Sequence, residues 1–488
     1  MNQESGRKGS RIRGVSLRHY ESVKRISVLW LSFAGLLIQT AIYAYIWMAY
    51  YYPLISKFTI RFKFTRNGHL LIFAIYLFLL FFFNNTYGGM KVGYLKPMDV
   101  FLSQTFSLLI VNAITYCQVS LMNNWLVPVK YFAAATIAQL FIAGGWTYIC
   151  NTFYRKVFPP RRMLLIHGER DIDDILRKFA SRKDKYKIVK CIDIKEGQAK
   201  LEEEIVRGYG AVVLWDIPTQ ERNRLLKFCY SRSVRVYMMP KIPDVLIKGS
   251  DQLHLFDTPI LLTREYALTV EQRAAKRMID IICALILLII ASPFMLMTAI
   301  LIKAYDKGPV LYRQVRCTQN GRKFEIMKFR SMRVDAEKDG VARLAAKNDS
   351  RITPVGKFIR AVRIDELPQL FNILKGEMSF IGPRPERPEI IRQYVEEMPE
   401  FVFRMKVKAG LAGYAQVYGK YNTTPYDKLK LDLSYIENYS VWLDLKLMLL
   451  TLKILIKPES TEGVESTQVT AMKALKAGES VEDEDREE

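Results

Sequence analysis

Histidine is scarce in this chain of 488 residues: His19, His69, His167 and His254 are the only four, and none follows position 254. Chemistry in the last part of the sequence must therefore run on carboxylates, hydroxyls, Lys or Arg rather than on imidazole. The six cysteines (Cys117, Cys150, Cys191, Cys229, Cys283, Cys317) lie far apart without a CxxC pair, which excludes a disulfide framework and a cysteine-based zinc site. Acidic residues are in deficit, 49 against 72 Lys plus Arg, and the formal charge is +23. That balance points to an acidic partner such as anionic lipid, a phosphorylated substrate or nucleic acid. Half the residues are apolar and the mean hydropathy is +0.02, which excludes a disordered chain.

Charge is missing altogether from long stretches. None occurs between Arg25 and Lys57, and uncharged blocks also run from about Gly68 to Met90, Val100 to Val129 and Tyr131 to Tyr154. A bilayer core takes about 20 apolar residues in helix. Four spanning helices are therefore expected near 27–52, 69–88, 101–122 and 128–150, in a membrane region of residues 27–154. The first block is too long for the apolar part of a cleaved signal peptide. Seven Lys/Arg precede Ile26, and Arg155, Lys156, Arg161 and Arg162 follow the fourth block, which places residues 1–26 and the chain after the helices in the cytoplasm. Lys57, Arg61, Lys63 and Arg66 in the first loop weigh against that orientation.

Beyond Pro159 the texture changes. Apolar runs Leu164–His167, Ile188–Ile194, Ala211–Trp215 and Val234–Met239 alternate with charged, helix-like stretches at Asp171–Lys183 and Thr219–Tyr230. Such alternation predicts a small parallel α/β, Rossmann-like sheet over residues 160–262. After the first run comes His167-Gly168-Glu169-Arg170, with one glycine where a dinucleotide fingerprint needs three. Glu169 and Asp171 would repel a pyrophosphate, so a structural or regulatory module fits better.

A further apolar block, 278–301, is flanked by Lys276, Arg277 and Asp280 and by Lys303 and Lys307, and is broken by Ser292-Pro293. Proline removes a helix hydrogen bond, and the Ser292 hydroxyl can compensate in part. Positive charge on both flanks favours a segment that enters one leaflet and returns over a fifth spanning helix. Trp442–Pro458 reads as an amphipathic interfacial helix, and residues 461–488 as a disordered acidic tail.

Between these lie the residues suited to phosphate chemistry. Arg313, Arg316, Arg322, Lys323, Lys328 and Arg330 crowd a short strand-and-turn stretch just after the membrane block. Arg360 and Arg363 lead into Asp365-Glu366-Leu367-Pro368, with Gly376 as an end signal, which would set the acidic pair at the positive end of a helix. Acidic residues at helix starts most often do no more than stabilise the helix.

Taken together, Lys328-Phe329-Arg330-Ser331-Met332, the run from Asp365 to Asn372, and Ser379-Phe380-Ile381-Gly382-Pro383-Arg384-Pro385 resemble the bacterial polyprenyl-phosphate sugar-1-phosphate transferases. Gly308-Pro309-Val310, Gln314-Val315-Arg316 and Ser292-Pro293 match as well, over residues 272–460. The preceding helices and α/β module look like the large, multi-domain branch of these monotopic phosphoglycosyl transferases, which initiate exopolysaccharide, O-antigen or capsule synthesis.

The resemblance implies a multi-domain membrane protein: a four-helix transmembrane bundle, the α/β module, and a mainly α-helical catalytic domain with a re-entrant membrane helix. It implies a multi-pass protein of the bacterial inner membrane with catalysis on the cytoplasmic face. It further implies transfer of a sugar-1-phosphate from a UDP-sugar, glucose or galactose for instance, to undecaprenyl phosphate, with release of UMP. Asp365 would be the nucleophile and would help hold Mg2+, and Glu366 would position or activate the acceptor. Arg360, Arg384, Lys328, Arg330 and Lys420 would bind phosphate or nucleotide, and Asp432 would help hold the metal or the acceptor. Lys276, Arg277 and Asp280, with Ser292 and Pro293, would fix the membrane helix at headgroup level. Membrane lipids are implied as partners, nucleic acid is not, and a homo-oligomer is left open.

The stretch Ala409-Gly410-Leu411-Ala412-Gly413-Tyr414, through Val417-Tyr418-Gly419-Lys420, departs from the usual family pattern. Lys420 there lacks the two-pronged donor of an arginine. The alternative function is a non-enzymatic membrane scaffold or regulator that binds anionic lipid.

Overall fold

The computed structural model describes residues 2–58, 65–255, 257–263, 267–333, 351–419 and 423–455, with backbone alone at 2–21 and 57–58. It divides into two compact units, 1–239 and 240–488.

The first unit opens with helix α1 (Asn2–Ile46), which continues through a π-helical turn (Trp47–Tyr51) into α2 (Tyr52–Phe58). Helices α3 (Arg66–Tyr87), α4 (Pro97–Met122) and α5 (Val129–Val157) follow, and each covers one of the intervals expected from the uncharged blocks to within one residue. Length and apolarity suffice for membrane crossing at Ser22–Ser56 and in α3, α4 and α5. Their shared core includes Leu36, Tyr43, Trp47, Tyr76, Leu108, Phe132 and Ala143. Where no water is at hand, polar side chains must pair with one another. Gln39 and Gln139 donate to each other's backbone carbonyls at 3.1 and 3.0 Å, and Asn112 accepts from the Tyr76 hydroxyl at 2.8 Å. Leu29, Trp30, Phe78, Phe141 and Tyr148 remain exposed outside that core.

Strands β1 (Arg161–His167), β2 (Tyr186–Asp193), β3 (Ala211–Trp215) and β4 (Val236–Met238) alternate with α6 (Asp173–Ala180), α7 (Gln198–Val206) and α8 (Thr219–Ser231). All pair in parallel in the order β2-β1-β3-β4. Alternate residues serve two cores: Leu164, Ile166, Val212 and Leu214 on one face, Met163, Leu165, Ala211 and Val213 on the other. A strand covered on both sides reads as an unbroken apolar run, which is why the central strands β1 and β3 were visible in the sequence, whereas β2 at the edge keeps Lys187, Lys190 and Asp193. After β1, the Gly168 N–H donates to the Trp215 carbonyl at 3.0 Å, and a Cβ at Gly168 would lie 2.2 Å from the Asp216 carbonyl oxygen. The loops after β1 and β3 therefore close on each other where the strand order reverses.

The second unit holds α9 (Ile242–Lys248), a hairpin of β5 (Asp251–Leu255) and β6 (Thr258–Leu262), and the long α10 (Val270–Asp306). A second hairpin follows, β7 (Leu311–Cys317) with β8 (Lys323–Phe329). Then come α11 (Pro354–Ala361), α12 (Gln369–Lys375), β9 (Ser379–Ile381), α13 (Pro388–Glu397), β10 (Gly410–Ala412), α14 (Tyr414–Tyr418), α15 (Pro425–Glu437) and α16 (Val441–Leu455). Ile242 and Val245 of α9 join Leu429, Leu433 and Ile436 of α15 in the main core. Helix α9, which the sequence pattern groups with the α/β module, thus packs into this unit instead, and the largely exposed β5–β6 hairpin falls in it too.

Helix α10 starts at a capping box, in which Thr269 accepts from the Gln272 N–H at 3.2 Å and Gln272 accepts from the Thr269 N–H at 3.0 Å. Lys276, Arg277 and Asp280 do not reach outward to headgroups. Lys276 donates to the Ile381 carbonyl at 2.8 Å, the Tyr435 hydroxyl at 3.1 Å and Asp444 at 2.6 Å. Arg277 donates to the Ile373 and Leu374 carbonyls at 2.5 and 2.6 Å, and Asp280 accepts from the Ser379 hydroxyl and the Phe380 N–H, each at 2.9 Å. These charges are spent on helix and strand ends of the protein itself. Pro293 stays inside the helix, and the Ser292 hydroxyl donates at 2.9 Å to the Ile289 carbonyl, the group that proline deprives of its partner. Cys283, Ala284, Leu287 and Leu288 pack on the main core, while Met295, Ala299 and Ile302 pack with Phe329 and Ile359. Ile289, 73% exposed, and Phe294 stand clear between them.

Helix α16 buries Asp444, Leu447 and Leu450 and exposes Trp442, Leu445, Leu452 and Leu455. One face is thus committed to the core, where the sequence suggests a helix lying in the interface alone. Residues 456–488, including the expected tail, lie outside the described residues.

Candidate active site

The hairpin β7–β8 supplies the first wall. Phe324, Ile326 and Phe329 face inward, and Lys328 is left half-buried at the strand's end. Asn372 of α12 fastens this strand: its Oδ1 accepts from the Met327 N–H at 3.0 Å and its Nδ2 donates to the Glu325 carbonyl at 2.7 Å.

Between α11 and α12 the chain must turn sharply. Thr353 caps α11 by accepting from the Gly356 N–H at 2.9 Å, and Pro354 opens the helix. Arg363 then adopts a left-handed conformation (φ 60°), an uncommon one for a side chain of its size, and a 3-10 turn (Ile364–Glu366) follows. Helix α12 begins at Gln369 and ends at Gly376 (φ 83°). Asp365 and Glu366 therefore stand in a separate turn just before α12, at the helix end where the sequence sets them. Their charge is governed by side chains more than by the helix end.

The third wall is the Gly382-Pro383-Arg384 turn. The Gly382 N–H donates to the Ala412 carbonyl and the Gly410 N–H to the Pro383 carbonyl, both at 2.9 Å. A Cβ at Gly382 would lie 2.4 Å from the Lys408 carbonyl oxygen, so only glycine permits this approach.

These walls converge on Glu366. Its Oε1 accepts from Lys328 Nζ at 2.9 Å and from Arg384 Nη2 at 3.2 Å, and Arg363 Nη1 lies 3.7 Å from Oε2. Burial alone would raise its carboxyl, but Lys328, Arg384 and Arg363 outweigh that and hold it well below the usual carboxylate range. Asp365 is treated the opposite way. Its Oδ1 is buried with no hydrogen-bond partner. Burial first, and then the charge of Glu366, push it up to about 6, against the pull of Lys328, Arg360 and Arg363. An unpaired, buried carboxylate oxygen beside several cations is costly for stability and well placed to attack an electrophilic centre.

Of the phosphate-binding residues expected from the sequence, Lys328, Arg360 and Arg384 are brought to this pair. Arg330 is not: its guanidinium forms a two-pronged pair with Asp306 and donates to the Pro309 carbonyl at 2.7 Å, tying the end of α10 to β8. Asp432 is buried (1% exposed) and accepts from Arg404 Nε at 3.0 Å. Arg404 in turn donates to the Arg384 carbonyl at 3.1 Å. Asp432 thus sits behind Arg384 with its Oδ2 engaged by Arg404. Lys420 lies outside the described residues. Arg363 and Asn372 are contributors that sequence reasoning did not assign. A left-handed arginine carries no sequence signal, and Asn372 was visible only as part of a longer motif.

Among the described residues no cluster of three or more acidic, His or Cys side chains forms a metal cage. The donor that remains is Asp365 Oδ1. That suits a hard cation such as Mg2+, which takes one or two carboxylates and completes its shell with water and substrate phosphate.

The Bacterial sugar transferase family profile matches residues 271–458. An Aeromonas hydrophila UDP-N-acetylgalactosamine-undecaprenyl-phosphate N-acetylgalactosaminephosphotransferase is 39% identical over 242 residues, covering 48% of this chain and 56% of that protein. A Klebsiella pneumoniae UDP-glucose:undecaprenyl-phosphate glucose-1-phosphate transferase is 41% identical over 210 residues, or 42% of this chain and 43% of that protein. The chain thus spans about half the length of these two relatives. An undecaprenyl-phosphate glucose phosphotransferase of Komagataeibacter xylinus aligns more broadly, 30% identical across 75% of this chain and 71% of its own length. The matched segment holds α10 and every residue around Glu366, and the broader alignment reaches well beyond it. The chain therefore belongs to the bacterial polyprenyl-phosphate sugar-1-phosphate transferase family.

Proposed function

We propose that the protein transfers a sugar-1-phosphate from a UDP-hexose to undecaprenyl phosphate at the cytoplasmic face of the bacterial inner membrane, as the first membrane step of polysaccharide synthesis. The observation that carries this reading is the contrast within one acidic pair: Asp365 with a free buried oxygen, Glu366 held by Lys328 and Arg384. In the first step an Asp365 oxygen attacks the β-phosphorus of the donor. The Asp365–phosphorus bond forms as the bond to the bridging oxygen breaks, and UMP leaves with that electron pair. In the second, a phosphate oxygen of undecaprenyl phosphate attacks the same phosphorus and returns Asp365 to its carboxylate. Lys328, Arg360 and Arg384 offset the charge that gathers as anions meet. Glu366, kept ionised and of low basicity, organises Lys328 and Arg384 rather than accepting a proton. Asp365 would hold Mg2+, which supplies further charge neutralisation at the diphosphate.

The names of the relatives support the donor and acceptor classes, and they differ in the sugar, so this chain's own hexose is a matter for assay. For α10, the packing of both its halves on one unit supports a re-entrant helix. The decisive test is release of UMP from UDP-glucose, UDP-galactose or UDP-N-acetylgalactosamine with undecaprenyl phosphate in membranes. Asp365→Asn should abolish it, and intact-mass analysis of the wild type quenched with donor alone should show a sugar-phosphate adduct on the Asp365 peptide. Undiminished release by the variant removes the nucleophile. A lipid-binding scaffold would show no turnover in either protein.

A further inference from the structure

Helix α11 is amphipathic in a way the fold does not fully use. Val355 and Ile359 pack with Met295, Ala299 and Ile302 on the second half of α10, and Ile364 joins them. Phe358 on this helix and Val362, the residue just past its end and four positions on, are 59% and 46% exposed. The helix that carries Phe358 packs through Val355 and Ile359 on the second half of α10, so this exposed apolar surface lies beside the membrane segment. It stops at the catalytic turn: Val362 precedes Asp365 by three residues, and Arg360, on the same helix, places its charge on Asp365. An apolar strip that begins on a membrane segment and ends at a cation and a nucleophile has the layout of one kind of molecule, an amphiphile with a phosphate head and a long hydrocarbon tail.

We infer that Phe358 and Val362 seat the first isoprene units of the acceptor's polyprenyl chain, leading it from the bilayer to Asp365. The inference rests on the transferase reading above. The strip selects the acceptor and takes no part in the step with the donor.

The test uses the full-length protein in phosphatidylethanolamine–phosphatidylglycerol nanodiscs, with whichever of the three UDP-sugars turns over. Phe358→Ser, Val362→Ser, the double variant and Phe358→Leu are compared with wild type. Exchange of labelled UMP into the UDP-sugar needs no acceptor and should be unchanged in all of them. The KM for undecaprenyl phosphate should rise about tenfold in the double serine variant with kcat retained, since each serine removes several buried carbons' worth of contact. Farnesyl phosphate, whose short tail reaches the strip and little else, should suffer more than undecaprenyl phosphate, and Phe358→Leu should remain near wild type. The inference is overturned by an unchanged KM, or by an equal rise for both acceptors together with weaker membrane binding, which would make the strip an anchor for bulk lipid. A change in oligomeric mass in the serine variants would overturn it in favour of contact with a second copy. Absence of UMP exchange in the wild type overturns the transferase reading, and the strip's role with it.

Discussion

Asp365 and Glu366 are adjacent and yet titrate in opposite directions, because burial and the charge of its neighbour dominate at Asp365 while Lys328, Arg384 and Arg363 dominate at Glu366. Asp365 is pushed up to about 6, so the carboxylate that the proposed attack needs is lost as pH falls through that value. The rate of UMP release should therefore show an acidic limb near pH 6. Lys328→Met removes a cation that favours both carboxylates, and should move the limb upward. A limb that stays put in that variant would detach it from Asp365. The same shift makes a statement about stability. A carboxyl whose folded value is raised stabilises the protein only while protonated, and that contribution disappears as pH rises through the folded value. Asp365→Asn should accordingly stabilise the protein by roughly 1–3 kcal/mol at pH 8 and by little near pH 4. Thermal unfolding at the two pH values measures the difference, and an equal gain at both would deny that the buried charge is the cause.

At the level of elements, the site depends on where α11 and α10 are pinned. A Cβ at Gly356 would lie 1.9 Å from the Ser331 carbonyl oxygen, so Gly356→Ala must displace α11 and with it Arg360 and the turn carrying Asp365. A loss of about 1–3 kcal/mol in stability is expected from such overpacking, with at least a tenfold loss of turnover. Gly145→Ala in α5, where no atom lies within 4 Å of the added carbon, is the control and should be harmless or mildly stabilising. For α10 the pin is Lys276, buried against Asp444, Tyr435 and the Ile381 carbonyl. Lys276→Met leaves the Asp444 charge buried alone and should cost about 3–5 kcal/mol, whereas Lys276→Met with Asp444→Leu should recover much of that. Failure of the double variant to recover would show that packing, not charge, sets the cost.

On the scale of the whole molecule, α10 is 37 residues, about 55 Å if straight, against a hydrocarbon core of about 30 Å. Both of its halves pack on one unit. Cysteines placed at Glu271 and Lys307 in a cysteine-free background should be labelled from the same side of the membrane, and labelling from opposite sides would make α10 a spanning helix. Chelation should abolish turnover and magnesium should restore it. Because Asp432 is engaged by Arg404, Asp432→Asn should lower stability without changing the magnesium concentration for half-maximal rate. A shift in that concentration would return Asp432 to the metal.

Long uncharged helices and short apolar strands between charged helices are local patterns, so α3, α4, α5 and β1–β4 could be drawn from the chain alone. The acidic pair with Lys328, Arg360 and Arg384 was legible too, as long runs of fixed residue types that resemble a family. What could not be read was how each charge is spent, since a hydrogen bond between residues far apart along the chain leaves no local trace. Arg330 and Asp432 have the same chemistry as Arg384 and Asp365, and only the structure shows them paired with Asp306 and Arg404. Lys276, Arg277 and Asp280, at a membrane flank, looked like anchors to headgroups and turned inward because strand and helix ends in the core needed donors and acceptors. Residue type and spacing settle which groups are on hand for chemistry, while tertiary packing alone decides which of them is left unpaired to perform it.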